Sequence, residues 1–600
     1  MSNHPCRVFC LPSDKTHCKG AVDAKLPQVI RMVGPPFIEL LICTNWMKPM
    51  QDPKESFRLA SHLSLLDWGI LAFFLAGILV WSAWLGRGQR SSRDYYLAGN
   101  TPPWWAVGLS TLATQCSTNS LLGGPAFVAF AAGGGLVFLQ WELAVPMAMI
   151  LLMVFVFPVL RASRVVSIYE FLEQRLGLTT RTTVSVLFQF FRAFATGVTI
   201  YGVSLLLSHM LQIPFAAAVL LFAATTILYD FLGGMRAVIW TDVIQFLFLF
   251  GGIGLALMEI VQSIGGWGNL CNLTAPERLN AFRWKGHGMG DGETYSLLPM
   301  FIGGLFLYAS YYGFDQTQAQ RILSCRNDGD SMRALCLNGL VRLPLALVYA
   351  LVGVALAAYA SIHSSFLWEL PLKPDLTGVD YNMALPIFVI KHLPQGIVGL
   401  IVVGLFAAAM SSLDSTLNSL SAATAEDVIG RFGWFGVRRG EPVSAWMGRF
   451  TTLFWGAICT FFAFFAGNIS DSIIITINKI GSVSYGPVLG IFALALFRPQ
   501  VGEKPALLGL AAGYAVNILL WIKFDPAISW LWWNVAGTAA CLATALAAAP
   551  FNRQTMPHIP WKAELPKNLK WNVLIMLAWS LVILSSILII GKVFKTDFCS

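Results

Sequence analysis

The chain has 600 residues, of which 56% are hydrophobic and only 12% are charged. Soluble globular domains use about 25% charged residues, so this composition excludes an ordinary soluble protein and indicates a multi-pass membrane protein. The formal net charge of +9 comes without the aromatic-interleaved basic surface that nucleic acid binding requires. We therefore expect no nucleic acid partner.

Residues 1–64 are predicted to form a poorly ordered tail on the outer (extracellular or periplasmic) side of the membrane. The apolar stretch 29–43 is shorter than a membrane span and contains Pro35 and Pro36. The 11 cysteines of the chain show no metal-ligand spacing, and several lie in apolar spans as small hydrophobic residues. They give no indication of a metal centre, and whether any of them forms a disulfide stays open.

Apolar windows of about 20 residues, the length at which a helix crosses a bilayer, recur along the rest of the chain. They predict about 14 transmembrane helices, the first at about 65–86 and the last at about 570–593. Every second loop is rich in basic residues, for example those that follow the first span (Arg87, Arg90, Arg93) and the ninth (Arg431, Arg438, Arg439). Because basic loops stay in the cytoplasm, this alternation predicts that both termini lie outside.

Two of the spans are interrupted in their middle by polar residues and glycine. The second span contains the polar run 110–124, and the seventh, five spans later, contains 308–320. Two interrupted segments at corresponding positions of two halves indicate an inverted-repeat transporter that binds its substrate between them. The alternative is that each segment is a continuous helix in the centre of the bundle.

The ninth span has a polar face in an otherwise apolar helix, residues 404–424. Ser411, Asp414, Ser415 and Asn418 lie at helical spacing on this face. Polar groups at membrane depth are costly, so such a face points at protein, at water or at a bound ion. Small residues and hydroxyls also pack helix against helix, but Asp414 fits an ion site better than that role.

Three motifs resemble one family. The run 229–245, YDFLGGMRAVIWTDVIQ, the run 315–326, DQTQAQRILSCR, and the polar face of the ninth span resemble signatures of the sodium:solute symporter family. The resemblance covers about residues 65–500 and implies an all-α, LeuT-type fold with a 5+5 inverted repeat. In that fold residues 65–500 form the symporter core, with one extra helix followed by spans 2–6 and 7–11. Residues 501–600 would add three transmembrane helices.

The resemblance also implies a Na⁺ site made of oxygens from both halves. The first half would supply the backbone carbonyls of Ala113 and Cys116, and the second half the carbonyl of Ala408 with the hydroxyls of Ser411 and Ser412. An unwound helix frees its carbonyls to replace the hydration shell of a small hard cation. Na⁺ is thus the expected coupling ion.

A second cation-sensitive site is predicted from Asp242, Asp414 and Ser415, because two carboxylates in one low-dielectric pocket need a bound cation or a shared proton. In some relatives the aspartate that matches Asp242 joins serines of the ninth span to bind another Na⁺. The alternative is that Asp242 caps its helix or pairs with Arg236, while Asp414 faces a cytoplasmic water path.

Candidate substrate contacts flank both interruptions and neighbouring spans: Asn119, Ser120, Glu142, Arg192, Asp315, Gln316 and Asn478. Glu142 resembles the sugar-binding glutamate of some relatives, although Val145 stands where they carry a serine. Anion-carrying relatives use an arginine about one turn from Arg192. The structural alternatives are that Arg192 pairs with Asp230 or Glu142, and that Asp315 pairs with Arg321 or Arg342.

These observations predict a secondary transporter of the plasma or inner membrane that couples Na⁺ to the symport of a small organic solute. An anionic, monocarboxylate-like substrate is slightly favoured over a sugar. We expect no enzymatic activity, because no nucleophile and base pair up at membrane depth. A membrane sensor derived from the same fold is a weaker alternative. The oligomeric state stays open.

Overall fold

The computed structural model describes residues 63–116, 118–372, 378–439, 443–466, 473–551 and 565–596. Within these ranges the regular structure is helical, with isolated β-bridges only. The predicted tail of residues 1–64 lies outside the described residues except for its last two. The side chains of two candidate substrate residues, Asn119 and Asn478, also lie outside the described ones.

The long helices and the interrupted segments are numbered α1 to α15 in chain order. They are α1 Leu65–Leu85, α2 Trp104–Gln115, α3 Thr118–Phe130, α4 Leu136–Ala162, α5 Leu178–Leu211, α6 Phe215–Ser263, α7 Gly304–Phe314, α8 Gln316–Leu323, α9 Asp328–Ile362, α10 Ile397–Ala423, α11 Ala445–Phe465, α12 Ile473–Phe497, α13 Glu503–Phe524, α14 Leu531–Ala548 and α15 Leu569–Thr596.

Eleven helical segments among the described residues are long and apolar enough to cross a membrane. One of them, α6, has 49 residues and contains Gly234 with φ 55° and ψ −159°, where the helix divides into two crossings. Only glycine tolerates this position, because an added Cβ would lie 2.7 Å from the Tyr95 ring. The interrupted pairs α2/α3 and α7/α8 supply two more crossings, so these segments together give the predicted fourteen.

The first predicted interruption is confirmed. Helix α2 ends at Gln115, and Cys116 leaves the helical conformation with φ −84° and ψ 58°. Helix α3 then begins at Thr118. Carbonyls in the last turn of a helix have no helical partner, so this interruption presents backbone oxygens in the middle of the bundle.

The second predicted interruption is confirmed as well, and it depends on one residue. Asp315 is extended, with φ −88° and ψ 121°, and thereby ends α7. Its carboxylate accepts a hydrogen bond from the backbone N–H of Thr317 at 2.9 Å and so caps α8. An aspartate at this position stabilises the helix that it starts.

Helix α10 lies in the centre of the bundle and packs against α6, α11, α1 and α2. Every side chain from Ile401 to Ala423 is buried except Ser412. The polar face predicted for this span therefore points at protein and not at lipid. Ser412 is the exception because it faces the central cavity described below.

Candidate functional site

A cavity of about 180 Å³ is lined by residues that flank both interruptions. Helices α5, α9, α10 and α12 complete its wall. Its polar lining consists of hydroxyls, one amide, one indole and two guanidinium groups: Thr114, Gln115, Ser120, Trp141, Arg192, Thr196, Thr199, Tyr308, Tyr311, Arg342, Tyr349, Ser412, Thr416 and Tyr485. The cavity thus lies where an inverted-repeat transporter binds its substrate.

Arg342 of α9 reaches the cavity in front of a buried carboxylate. Its Nε lies 3.0 Å and 3.2 Å from the two carboxylate oxygens of Glu142, and its Nη1 lies 3.6 Å from the Cys116 Sγ at the first interruption. The Glu142 side chain is 1% exposed and does not line the cavity. Glu142 therefore holds Arg342 in place and is not at the cavity surface itself.

Arg192 of α5 reaches the other side of the cavity, at the second interruption. Its Nη1 lies 3.4 Å from Asp315 Oδ2 and 3.5 Å from the Tyr485 hydroxyl. Its guanidinium also lies 5.8 Å from the centre of the Tyr311 ring. The alternatives that paired Arg192 with Asp230 or Glu142 are wrong, because α5 places its guanidinium at Asp315.

The pairings of Asp315 with Arg321 or Arg342 are also wrong. Asp315 is the N-cap of α8 and Arg321 lies six positions later, about 240° around a helix of 3.6 residues per turn. Arg321 therefore points away from Asp315, and Arg342 is already bound to Glu142. Arg192, Arg321 and Arg342 each contact a different carboxylate.

Four buried polar atoms on the cavity wall have no partner among the described residues, and besides Gln115 Oε1 and the Tyr349 hydroxyl they include two groups that can only donate. These two groups are the Nε–H of Arg192 and the indole N–H of Trp141. Both groups can only donate, and an unpaired buried donor costs about 1–3 kcal/mol. The cavity wall is therefore ready to receive hydrogen-bond acceptors.

The residues predicted to bind Na⁺ lie where α10 meets the end of α2. Ser412 Oγ donates to the Thr114 carbonyl at 3.0 Å, which joins the two helices next to Ala113. Ser411 Oγ is buried and has no hydrogen-bond partner within normal distance and angle limits. The Asp242 carboxylate lies near it. A bound cation would satisfy this hydroxyl oxygen, so the donor set fits a small hard ion.

The predicted second site contains a guanidinium that the sequence did not place there. Arg321 Nη2 lies 3.3 Å from Asp242 Oδ2 and also donates to the Ser415 hydroxyl. Its Nε donates to Ser110 Oγ at 2.8 Å, and that hydroxyl donates to Asp242 Oδ2 at 2.5 Å. Arg321 and Asp242 are both fully buried. The Arg321 side chain therefore supplies a permanent positive charge in this pocket.

Two further carboxylates surround this ion pair. Asp414 accepts from the Tyr229 hydroxyl at 2.5 Å, and Asp230 accepts from the Asn418 amide at 3.1 Å. One oxygen of Asp230 and one of Asp242 have no hydrogen-bond partner among the described residues. The pocket thus contains one guanidinium and three carboxylates. The carboxylate oxygens without a partner are available to a further cation or to a proton.

The alternative that Asp242 pairs with Arg236 is wrong. Arg236 is exposed and lies six positions before Asp242 on α6, on the other side of the helix. Arg321 from α8 takes its place. This pairing was not predicted, because Arg321 directly follows the predicted seventh span and was assigned to the basic loop after it.

The remaining candidate substrate residues have different surroundings. Ser120 lines the cavity, whereas Asp315 does not. The Gln316 side chain bonds to the backbone of Ile168 at 2.9 Å and of Val166 at 3.0 Å, which is a structural role. Tyr485 and Trp141 line the cavity without having been predicted, since a single tyrosine or tryptophan in an apolar span is indistinguishable from a core residue.

Comparisons with known proteins identify the family and the fold of this chain. A profile of the sodium:solute symporter family matches residues 95–513, which is more than half of the chain. The chain belongs to the sodium:solute symporter family. It is therefore a multi-pass, Na⁺-coupled symporter of a small solute, as the motifs predicted.

Several relatives match this symporter over most of its length. It is 27% identical over 517 residues to the sodium/sialic acid symporter NanT of Aliivibrio fischeri, which covers 83% of this chain and 95% of that protein. It is 28% identical over 454 residues to the human sodium-coupled monocarboxylate transporter 1, covering 76% of this chain and 72% of the relative. The human sodium/iodide cotransporter is 26% identical over 466 residues, covering 77% and 70%.

A solved structure supports the fold of this symporter. The substrate-bound, outward-open structure of a Na⁺-coupled sialic acid symporter superposes with a TM-score of 0.72 at 24% identity, covering 82% of this chain and 98% of that one. The likeness confirms the predicted all-α, LeuT-like fold.

Proposed function

We propose that this symporter carries a small organic anion together with Na⁺ by alternating access. The observation that carries this proposal is the pair of unpartnered donors on the cavity wall, Arg192 Nε–H and the Trp141 indole N–H. A carboxylate supplies acceptor oxygens to both. A substrate that cannot accept these hydrogen bonds would leave them buried and unsatisfied.

The charge distribution around the cavity supports an anion. Both guanidinium groups line it, whereas their carboxylate partners, Glu142 and Asp315, do not. The cavity wall is therefore positive although the two ion pairs are neutral as a whole. Three of the matched relatives are named for transport of sialic acid, monocarboxylate or iodide, all of which are anions.

We place the coupling Na⁺ at Ala113, Cys116, Ala408, Ser411 and Ser412. This position is supported by the hydrogen bond from Ser412 to the Thr114 carbonyl and by the unpaired Ser411 hydroxyl. An ion held there contacts both halves of the repeat at once. It stabilises the conformation in which α2 and α10 are together, and so biases the transporter toward one state before substrate arrives.

A sugar is the second candidate, because Glu142 resembles a hexose-binding glutamate. It is less favoured, since Glu142 is engaged by Arg342 and does not line the cavity. We also propose that the protein is a transporter without enzymatic activity in the plasma or inner membrane. The ion pairs at its centre each join an arginine to a carboxylate.

A thermal-shift screen of the purified protein tests the substrate class. Pyruvate, nicotinate, sialic acid, glucose and a neutral amino acid are added with NaCl and, in parallel, with choline chloride. We expect an increase in Tm only with an anion and only with Na⁺ present, because ligands stabilise the state that they bind. Stabilisation by glucose with no response to any anion would contradict the proposal.

The variant Arg192→Gln connects the screen to the cavity. It removes the unpaired Nε–H, so anion binding should weaken by roughly tenfold or more, while Na⁺ stabilisation is retained. The matched control is Arg87→Gln, which removes an exposed arginine outside the cavity. Equal weakening in both variants would separate the effect from the cavity and refute the assignment of Arg192.

A further inference from the structure

A second cavity, of about 1060 Å³, opens at the predicted cytoplasmic ends of the helices. It is formed by the chain that follows α4, the connection between α8 and α9, and the segment that leads into α15. It shares no lining residue with the central cavity. The inner cavity is therefore separate from the central one in this structure.

The lining of this inner cavity is strongly basic. Six basic side chains and two acidic ones line it, and these are Arg93, Arg161, Arg164, Arg326, Arg333 and Lys567 against Asp328 and Asp330. A concave surface lined by one sign of charge concentrates ions of the opposite sign. The excess of positive charge favours an anionic ligand.

The two acidic residues are already engaged. Asp328 lies 2.5 Å from Arg161 Nε, and Asp330 lies 3.6 Å from Arg333 Nη1. In the part of the chain that the structure describes, no carboxylate lies within ion-pair distance of the other four basic groups, although Arg93 and Arg326 each donate to one backbone carbonyl. Four positive charges thus share one cavity without a counter-charge from the described residues.

The position of the cavity indicates where a counter-charge would come from. It lies at the ends of predicted membrane spans, and α15, which follows Lys567, packs on α9 and α4. The first turns of α15 carry exposed apolar side chains, with Trp571 70% and Leu574 54% exposed. A phosphate at the cavity and acyl chains beside α15 match the arrangement of an anionic phospholipid.

We propose that this inner cavity binds a phosphate group, supplied by the headgroup of an anionic phospholipid of the cytoplasmic leaflet. Arginine and lysine pair with phosphate oxygens through charge-assisted hydrogen bonds. The occupant bridges α4, α9 and α15 and holds the last helix against the symporter core. A soluble phosphate compound offers the same chemistry, so the test must separate the two sources.

The test compares three forms of the purified full-length protein in a neutral detergent. These are the wild type, the double variant R164Q/K567Q and the matched control R87Q/R438Q, which removes two exposed arginines outside the cavity. Each is titrated with phosphatidylglycerol, with phosphatidylcholine and with inorganic phosphate, and Tm is recorded. Both targeted side chains are exposed, and the Tm without additive reports whether each variant is folded.

We expect phosphatidylglycerol, but not phosphatidylcholine, to raise the Tm of the wild type and of the control. The double variant should require roughly thirtyfold more phosphatidylglycerol for the same shift, because each basic group near an anionic headgroup contributes about fivefold to the affinity. An unchanged response of R164Q/K567Q would overturn the proposal. If inorganic phosphate raised the Tm as much as phosphatidylglycerol does, the lipid would not be the source of the bound phosphate group.

Native mass spectrometry of the wild-type protein provides a measurement that needs no variant. Protein extracted from a mixture of phosphatidylglycerol and phosphatidylcholine should retain phosphatidylglycerol in preference. Retention in proportion to the mixture would contradict a headgroup site. Salt near 1 M should weaken the preference, because the screening length then falls to about 3 Å, the distance between paired charges.

Discussion

Replacing Ser412 with alanine tests the position of the coupling ion. Ser412 is the one side chain between Ile401 and Ala423 that is not buried, and its hydroxyl joins α10 to the Thr114 carbonyl at 3.0 Å. The variant Ser412→Ala removes this hydrogen bond and one of the about five oxygens expected around Na⁺. The cost of losing a partner in such a site is about 1–3 kcal/mol.

This cost converts to a rise of roughly 5- to 150-fold in the Na⁺ concentration that gives half-maximal uptake. The assay is uptake of a labelled organic anion into proteoliposomes at increasing Na⁺, with choline as the replacing cation. Ser412→Thr keeps the hydroxyl and should restore most of the affinity. Folding should survive, because the side chain is only partly buried and no apolar contact is lost.

The matched control is Ser419→Ala on the same helix, two turns away. Ser419 is buried and bonds to Thr317 and to the Thr416 carbonyl, both at 2.9 Å, so its loss also removes hydrogen bonds. Its Na⁺ dependence should stay close to that of the wild type. An unchanged Na⁺ dependence in Ser412→Ala, or uptake that persists in choline, would refute the reasoning.

Three further predictions follow from other regions. In a cysteine-depleted variant, a cysteine introduced at Gly290 should react with an impermeant thiol reagent from outside, and one introduced at Arg438 should not. Labelling of the cysteine at position 438 from outside would contradict the predicted topology. Asp414→Asn should change the Na⁺-to-substrate ratio or the pH dependence of uptake, measured through reversal potentials, and no change in either would rule out a second cation site. Glu142→Gln should raise the KM for an anion several-fold by freeing Arg342, whereas a complete loss of glucose binding would favour the sugar alternative.

The elements of the fold followed from the sequence because their signals are local. Polar residues at membrane depth marked both interruptions, whereas the role of Asp315 as the N-cap of α8 is seen only in the structure. The polar face of α10 was visible as a helical period. Each of these inferences needs only residues that are neighbours on one helix.

The pairing of charges could not be predicted in the same way. Three arginines and several carboxylates at membrane depth allow many combinations, and the choice depends on helix rotation and depth. Arg192 pairs with Asp315 and Arg321 pairs with Asp242, and no spacing along the chain specifies either pair. If the start of α8 is known, the angle between Asp315 and Arg321 around the helix axis excludes this pair.

Helix α8 has only eight residues, yet its two ends belong to different ion pairs. At its start Asp315 contacts Arg192 on the central cavity, and near its end Arg321 contacts Asp242 among the buried carboxylates. A single helical rod of about 12 Å cannot tilt at one end without displacing the other. Asp315 and Arg321 are thus fixed to one short helix, so a movement of α8 that changes one of these two ion pairs is expected to change the other as well.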